Sequence, residues 1–444
     1  MTIDEIKNKL RNAGVVGAGG AGFPTYAKLN EQAETIILNC AECEPLLRLH
    51  RQLLKLHAPE ILKAFSLIKE TVGADRAVVG IKEEYRSTVK AVKEVLPRFP
   101  GITLKTLSSS YPMGDEVVLI YETTGKVIRP GGLPIDEGVA VFNVETMFNA
   151  YRALFLNIPV TEKFLTLVGE VRNPVTVRVP IGTPIGEAVE MAGGASTPDP
   201  VYFTGGPMMG QLADPEDVVT KTTNAVLVLP SDHKLVLKKK ADPSVQLNRA
   251  ASICCQCRMC TELCPRHLLG HPIEPHLFMR AAANRDFQKL NPFLNTWFCS
   301  GCGLCELYSC PQGLQPRTLI TLYKNGLRQR RIKAPSEPET GRVSAARALR
   351  KAPEERLAAR LNLSGYVHPA PIDESSRGVG RVRIPFSQHI GVYAHPIVIV
   401  GNRVAKGEVV AAAPEKTLSV NIHSSIDGIV EEINEKQVVI RIRG

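Results

Sequence analysis

Over the first 155 residues the apolar positions switch repeatedly between helical and strand-like spacing. Asp4 to Asn12 has the repeat of a short helix, and a glycine-rich stretch, Gly14-Val-Val-Gly-Ala-Gly-Gly-Ala-Gly-Phe-Pro24, follows it. Thr35 to Leu38, Ala77 to Ile81, Ile102 to Leu107 and Val139 to Phe142 are apolar runs of strand length. Between and after them, Arg51 to Val72, Glu83 to Val95, Asp115 to Thr123 and Val144 to Leu156 read as helices. Such alternation predicts a parallel sheet with helices on both faces. Ligands of such sheets bind beyond the carboxyl ends of the strands. The loops Asn39–Pro45, Tyr111–Glu116 and Asn143–Thr146 all follow strands, so they are expected to converge there.

The pattern then changes. Phe164-Leu-Thr-Leu-Val-Gly-Glu-Val-Arg-Asn-Pro174 reads as strand, turn, strand, and Pro184 to Ala192 as a short helix ending at Gly193-Gly194. Short strands around one helix predict a small α+β domain of the β-grasp kind. Residues 233–250 read as a charged linker, and residues 250–325 as a helical segment holding nine cysteines. Residues 326–375 are basic and carry Pro335, Pro338 and Pro353; they predict an extended linker with a helix near Val343–Leu361. The remainder is β-rich, with turns at Gly401-Asn402, Ala405-Lys-Gly407 and Asp427-Gly428, and predicts a small barrel or sandwich. A chain of 444 residues is long enough for roughly two to four domains. The expected fold class is multidomain α/β, with domains at 1–160, 161–232, 245–325 and 378–444, and a basic linker at 326–375.

Composition narrows the chemistry. No apolar run approaches the ~18 residues needed to span a bilayer, and MTIDEIKNKL at the start lacks a signal-peptide pattern. The expectation is therefore a cytoplasmic protein with no direct membrane span. The formal net charge is +10, much of it from the stretch with Arg328, Arg330, Arg331 and Lys333. Without a recognisable nucleic-acid module this predicts a solvated face and no nucleic-acid partner, and leaves open an acidic protein or an anionic cofactor.

Eleven cysteines, clustered and without an export signal, point to metal rather than to disulfides. Cys254-x2-Cys257-x2-Cys260-x3-Cys264-Pro265 and Cys299-x2-Cys302-x2-Cys305-x4-Cys310-Pro311 carry the signal. The first has the spacing of bacterial two-cluster ferredoxins, in which the fourth cysteine ligates the other cluster. Three close thiolates wrap three corners of a cubane, and the proline after the fourth stops the helix and turns that thiolate away. This assigns Cys254, Cys257, Cys260 and Cys310 to one [4Fe–4S] cluster, and Cys299, Cys302, Cys305 and Cys264 to the other. Zinc sites use pairs of cysteines more often than such triplets. The long spacer, with helix-like Pro275–Asn284, predicts an α-helical ferredoxin module. Cys255 reads as a bystander.

Gly17-Ala-Gly19-Gly20-Ala-Gly22 matches G-x-G-x-x-G but follows a helix, not a strand, so it is not an ordinary dinucleotide fingerprint. It is either a tight structural turn or a stretch whose backbone comes close to a flat or anionic ligand. Together with Phe23, Pro24, Thr25 and Lys28 it resembles the flavin loop of the complex I flavin-bearing subunit family. Asn39-x-x-Glu42-x-Glu44-Pro45, Tyr111-Pro-x-Gly114-Asp-Glu116 and Asn143-Val-Glu-Thr146 complete the resemblance. It implies that these four segments enclose FMN and admit NADH. The matching flavin-site positions are Gly17, Gly19, Gly20, Phe23, Lys28, Asn39, Glu42, Tyr111, Gly114, Asp115, Glu116, Asn143 and Thr146, with Lys28 toward the FMN phosphate. The chain departs from that family at Ala41, where the pattern is acidic, and at Cys43, where it is serine. Cys40-x2-Cys43 reads as loop packing beside the flavin, with a redox pair as the alternative.

Phe164–Gly210 resembles an SLBB-type β-grasp domain, and the C-terminal segment resembles the barrel-sandwich domain of the C subunit of Rnf-type complexes. In that protein the barrel comes first in the chain. The order found here is that of the cobalamin reductases of propanediol utilisation, a family the chain resembles nearly end to end. The resemblance implies NADH as electron donor, FMN and two [4Fe–4S] clusters as relays, and a corrinoid as acceptor. It implies a corrinoid or adenosyltransferase partner protein, and a place inside a bacterial microcompartment with its shell or enzymes. The alternative is a non-enzymatic electron-carrier subunit of an Rnf-like or amino-acid reductase complex. The lipoyl-like domain has no lysine in Ser424-Ser-Ile-Asp-Gly428, so no lipoyl or biotin arm is expected.

Overall fold

The computed structural model describes residues 1–336, 338 and 341–442. Positions 337, 339 and 340 of the expected linker, and 443 and 444 of the expected last domain, lie outside the described residues.

Four parallel strands form the first sheet, in the order Ile102–Leu107, Arg76–Lys82, Thr35–Cys40, Val139–Asn143. Successive side chains of a strand point to opposite faces, so each strand feeds two cores. Ile36, Leu38, Ala77 and Val79 pack with Ile61, Phe65 and Met147 of the helices Ala58–Val72 and Val144–Phe155. On the other face Ile37, Val139 and Val141 pack with Val117 and Ile120 of Glu116–Thr124. Register places Asn39 level with Gly80 on one side and Asn143 on the other, which brings the strand-end loops to one height.

The helix expected over 51–72 is two helices, Leu49–Leu56 and Ala58–Val72, broken at His57. Pro59 sits in the first turn of the second, where its missing N–H costs nothing, but it cannot continue the first. Asp115 is not the first helical residue but the cap of Glu116–Thr124, accepting from the Val117 and Val118 N–H groups at 3.1 and 3.2 Å. Asn143 caps Val144–Phe155 in the same way.

The second domain has a six-stranded sheet built on the hairpin of Glu162–Gly169 and Val175–Pro180. Ala225–Pro230 runs parallel to the first of these strands, as a β-grasp requires. One of its two edge strands, Ile372–Ser376, comes from the segment expected to be a linker. That segment is in fact packed. Ala352, Leu357, Leu361, Leu363 and Ala370 are buried with Leu46, Tyr111 and Leu307. The expected helix over 343–361 is divided by Lys351–Pro353 into a 3-10 stretch, Ala345–Arg350, and a helix, Glu354–Arg360. The charged linker expected at 233–250 is also helical, Lys234–Lys240 and Pro243–Ile253, capped by the side chains of His233 and Asp242.

The last domain has a four-stranded and a three-stranded sheet, with Val382, Ile384, Phe386, Val410, Val430 and Ile440 in a core continuous with that of the first domain. Arg11 of the first helix donates to the Pro414 and Ser419 carbonyls at 2.6 and 3.3 Å, and the Tyr26 hydroxyl to Thr417 at 3.0 Å. Among the described residues no helix is long and apolar enough to cross a membrane.

The Lys82 side chain is fully buried and pairs with Glu354; burial pushes the lysine down to about 8. Removing one member of a buried ion pair leaves an uncompensated charge. Glu354→Ala is expected to lower stability by about 3 kcal/mol in urea unfolding, with Lys82→Met/Glu354→Leu recovering most of the loss. His423 is pushed down to about 3, by burial and then by Lys221. Below its ordinary ~6.5 the unfolded chain takes up a proton that the folded chain does not. Stability is therefore expected to fall as pH drops from 6.5 towards 3, less steeply in His423→Gln, as read from urea midpoints.

Candidate cofactor sites

The glycine-rich loop is closed by its own backbone and by the end of the sheet. The Gly17 N–H donates to the Phe23 carbonyl at 2.9 Å, and the Ala18 N–H to the Thr146 hydroxyl at 2.9 Å. Gly20 has φ of +72° and open space where a side chain would stand. A Cβ on Gly19 would lie 3.1 Å from Asn224 Nδ2 and 3.3 Å from Asn143 Nδ2. Two amide donors thus crowd against one bare Cα.

The three strand-end loops meet at this point. Asn39 accepts from the Ala41 N–H through Oδ1 and donates to the Gly114 carbonyl through Nδ2, both at 3.0 Å. Gly114 lies so close to the Ala41 carbonyl that no Cβ fits, and its N–H donates to Cys43 Sγ at 2.7 Å. Lys28 Nζ is 3.2 Å from Glu116 and donates to the Val141 carbonyl at 3.0 Å, so a carboxylate holds it here.

Other expected site residues lie behind the loops. Glu42 is buried, and accepts from the His50 and Arg51 N–H groups at 2.9 and 3.3 Å and from Arg51 Nε at 3.2 Å. Burial alone would raise its carboxyl; Arg51, His50 and these donors hold it below the ordinary range. Its place is that of an anchor under the loop. Asp115 is occupied as a helix cap and by Arg266 at 3.0 Å. Phe23 is half-buried and contributes its carbonyl to closing the loop. Cys40 and Cys43 are free thiols. Burial pushes Cys40 well above its ordinary value and Cys43 up to about 12, which suits packing rather than exchange.

Sequence reasoning missed Asn224. Lys163 is buried, paired with Glu145, and donates to Asn224 Oδ1 at 2.8 Å. That bond turns the Asn224 amide nitrogen towards Gly19. Its one precursor in the sequence is Glu145, inside Asn143-Val-Glu-Thr146; nothing local marks an asparagine in the next domain. Glu44 joins the same two domains, accepting from the Met208 and Met209 N–H groups, each at 2.7 Å.

The cysteines assemble in two groups of four. Cys254, Cys257, Cys260 and Cys310 line one cleft with His276 and Met279, and the exposed Cys255, expected as a bystander, lies at the same cleft. Burial, then Cys310, Cys254 and Cys257 beside it, pushes Cys260 up to about 12. Burial, then Cys264, with Cys299 also beside it, does the same for Cys302; burial, then Cys299 and Cys302, raises Cys305. An all-sulfur donor set in two such groups fits iron–sulfur clusters. Among the described residues no three such side chains converge tightly enough for a single ion. The loops that wrap the sulfurs match: Gln256 and Arg258 have φ of +53° and +66°, where the second motif has Gly301 and Gly303 at +73° and +78°.

The two halves of the site touch. The buried Tyr111 hydroxyl donates to the Cys302 carbonyl, and Arg266, two residues beyond Cys264, pairs with Asp115. The group holding Cys264, Cys299, Cys302 and Cys305 therefore adjoins the glycine loop's neighbours, while Cys257 of the other group is exposed.

Four stretches of the chain match models of known domains. Residues 10–152 match the model of the Nuo51 FMN-binding domain, 164–212 the SLBB domain, 253–315 the 4Fe-4S dicluster domain and 369–442 the RnfC barrel sandwich hybrid domain. The cobalamin reductase PduS of Citrobacter freundii is 40% identical over 99% of this chain and 96% of its own length. That of Salmonella typhimurium is 41% identical over 100% and 98%. The C subunit of the Na(+)-translocating ferredoxin:NAD(+) oxidoreductase complex of Acetobacterium woodii is 32% identical over 60% of this chain and 59% of its own. The cofactors are thus FMN and two [4Fe–4S] clusters.

The crowding at Gly19 gives a test. Gly19→Ala is expected to lower the FMN content of the purified protein at least severalfold, read from released-flavin fluorescence, with the iron content kept. Asn224→Leu is expected to do the same more weakly.

Proposed function

Because this chain belongs to the family of the cobalamin reductase PduS, we propose that it passes electrons from NADH, through FMN and two [4Fe–4S] clusters, to a corrinoid. One NADH becomes NAD+ and a proton, and its two electrons take Co(III) to Co(I). When bound, FMN would supply the conversion of a hydride into single electrons, and the clusters would supply one-electron relays.

The chain's own residues do the positioning. Gly17, Gly19, Gly20, Phe23, Lys28, Asn39, Tyr111, Gly114, Asn143 and Thr146 would hold the flavin, with Asn224 added from the second domain. Glu42, Asp115 and Glu116 fix the surrounding loops and Lys28. Cys299, Cys302, Cys305 and Cys264 would hold the inner cluster, and Cys254, Cys257, Cys260 and Cys310 the outer one. The observation that carries this reading is the buried hydrogen bond from Tyr111 to the Cys302 carbonyl, which joins the flavin loops to an inner-cluster ligand. The nearest partner would be an adenosyltransferase that alkylates Co(I), and the setting a bacterial microcompartment.

Anaerobic NADH is expected to bleach both the flavin and the cluster absorbance of the isolated chain and to drive hydroxocobalamin reduction. Cys257→Ala is expected to lose about half the iron and the corrinoid reduction, yet keep flavin bleaching by NADH. If NADH reduced nothing while a reduced protein partner bleached the clusters, the chain would be a carrier component and the proposal would fail.

A further inference from the structure

The outer cluster's fourth ligand, Cys310, has a second face. It borders a cleft of about 180 Å³ between the helices Lys234–Lys240 and Glu354–Arg360, lined also by Lys234, Lys238, Arg360, Glu306 and Leu307. Three cations surround this opening. Glu306 is the one carboxylate lining it among the described residues. Its side chain is 2% exposed and already satisfied by the Thr318 N–H at 2.8 Å and Arg317 at 3.5 Å. Apart from the cluster that Cys310 would ligate, no carboxylate lining the cleft among the described residues is left free to offset Lys234, Lys238 and Arg360. Two of the cations are held in place by main-chain carbonyls: Lys238 donates to Glu306 at 3.2 Å, and Arg360 to Cys310 itself at 3.5 Å.

We propose that this cleft binds the phosphodiester of the corrinoid acceptor, and that electrons leave the chain past Cys310. The inference rests on the corrinoid reading above and names the contact by which that acceptor is recognised. Lysine and arginine together form charge-assisted hydrogen bonds to phosphate oxygens. The phosphodiester of the nucleotide loop is the fixed anion of a cobalamin whose other side arms are amides. At about 180 Å³ the cleft has room for a phosphodiester and is too small to enclose a corrin ring. The ring stays outside, beside the loop that carries an outer-cluster ligand. Neither cluster spacing nor flavin motif calls for these cations, and Arg360 comes from a segment that reads in the sequence as linker.

The test compares hydroxocobalamin with aquacobinamide, which lacks the nucleotide loop, on the holoprotein. Lys238→Gln/Arg360→Gln is expected to raise the KM for hydroxocobalamin about tenfold or more. Aquacobinamide is expected to have a high KM with the wild type and no further rise with the variant. Lys238→Arg, which keeps the charge, is expected to restore hydroxocobalamin to within about twofold of wild type. An equal loss for both corrinoids, or no change for either, would overturn the proposal. So would a variant that loses binding to an acidic adenosyltransferase partner while its hydroxocobalamin KM stays put. If the wild type reduces neither corrinoid although NADH bleaches its clusters, the acceptor reading fails. Equilibrium dialysis against hydroxocobalamin then decides the cleft: retention by the wild type and loss in the variant supports it, and equal retention overturns it.

Discussion

The buried hydroxyl of Tyr111 and the carbonyl of Cys302 form the contact on which the rest of the molecule depends. Electron transfer needs relays that are close and fixed, and a hydrogen bond sealed from water is strong enough to fix two loops from separate domains. Tyr111 lies in the loop that also carries Gly114 and Asp115. Gly114 is pressed against Ala41, and Asp115 is held by Arg266. A shift of the cluster module would therefore propagate directly into the strand-end loops. Glu44, bonded to the Met208 and Met209 N–H groups, ties the second domain to the same spot.

Buried charges serve the same end. Lys82 with Glu354 and Lys163 with Glu145 each pair residues from different segments. Such pairs are costly to desolvate and weak as a source of stability. What they supply is placement, since Lys163 orients Asn224 and Lys82 pins the start of Glu354–Arg360. Placement of that helix in turn puts Arg360 beside Cys310.

What the sequence made legible was local or periodic. The apolar runs at Thr35, Ala77, Ile102 and Val139 gave the parallel sheet, because strands covered on both faces are nearly continuous in hydrophobicity. The cysteine spacings made the two motifs legible, because each sets three cysteines in one loop. What stayed hidden was non-local. Ile372–Ser376 looks polar because it is an edge strand with one neighbour. Lys234–Lys240 buries only Leu235 and Val236, too thin a stripe to stand out among lysines. Asn224 acquires its role only through a lysine and a glutamate from elsewhere in the fold.

The docking of the last domain has a consequence for descent. Its loops are clasped by Arg11, Tyr26 and, through Asn421, Lys221, so it sits against the opening helix and the glycine loop although it closes the chain. A module seated there can be attached to either end of the polypeptide with little change in the solid body it completes. Gene rearrangement that carried the barrel from front to back would alter a tether and leave the clasp intact.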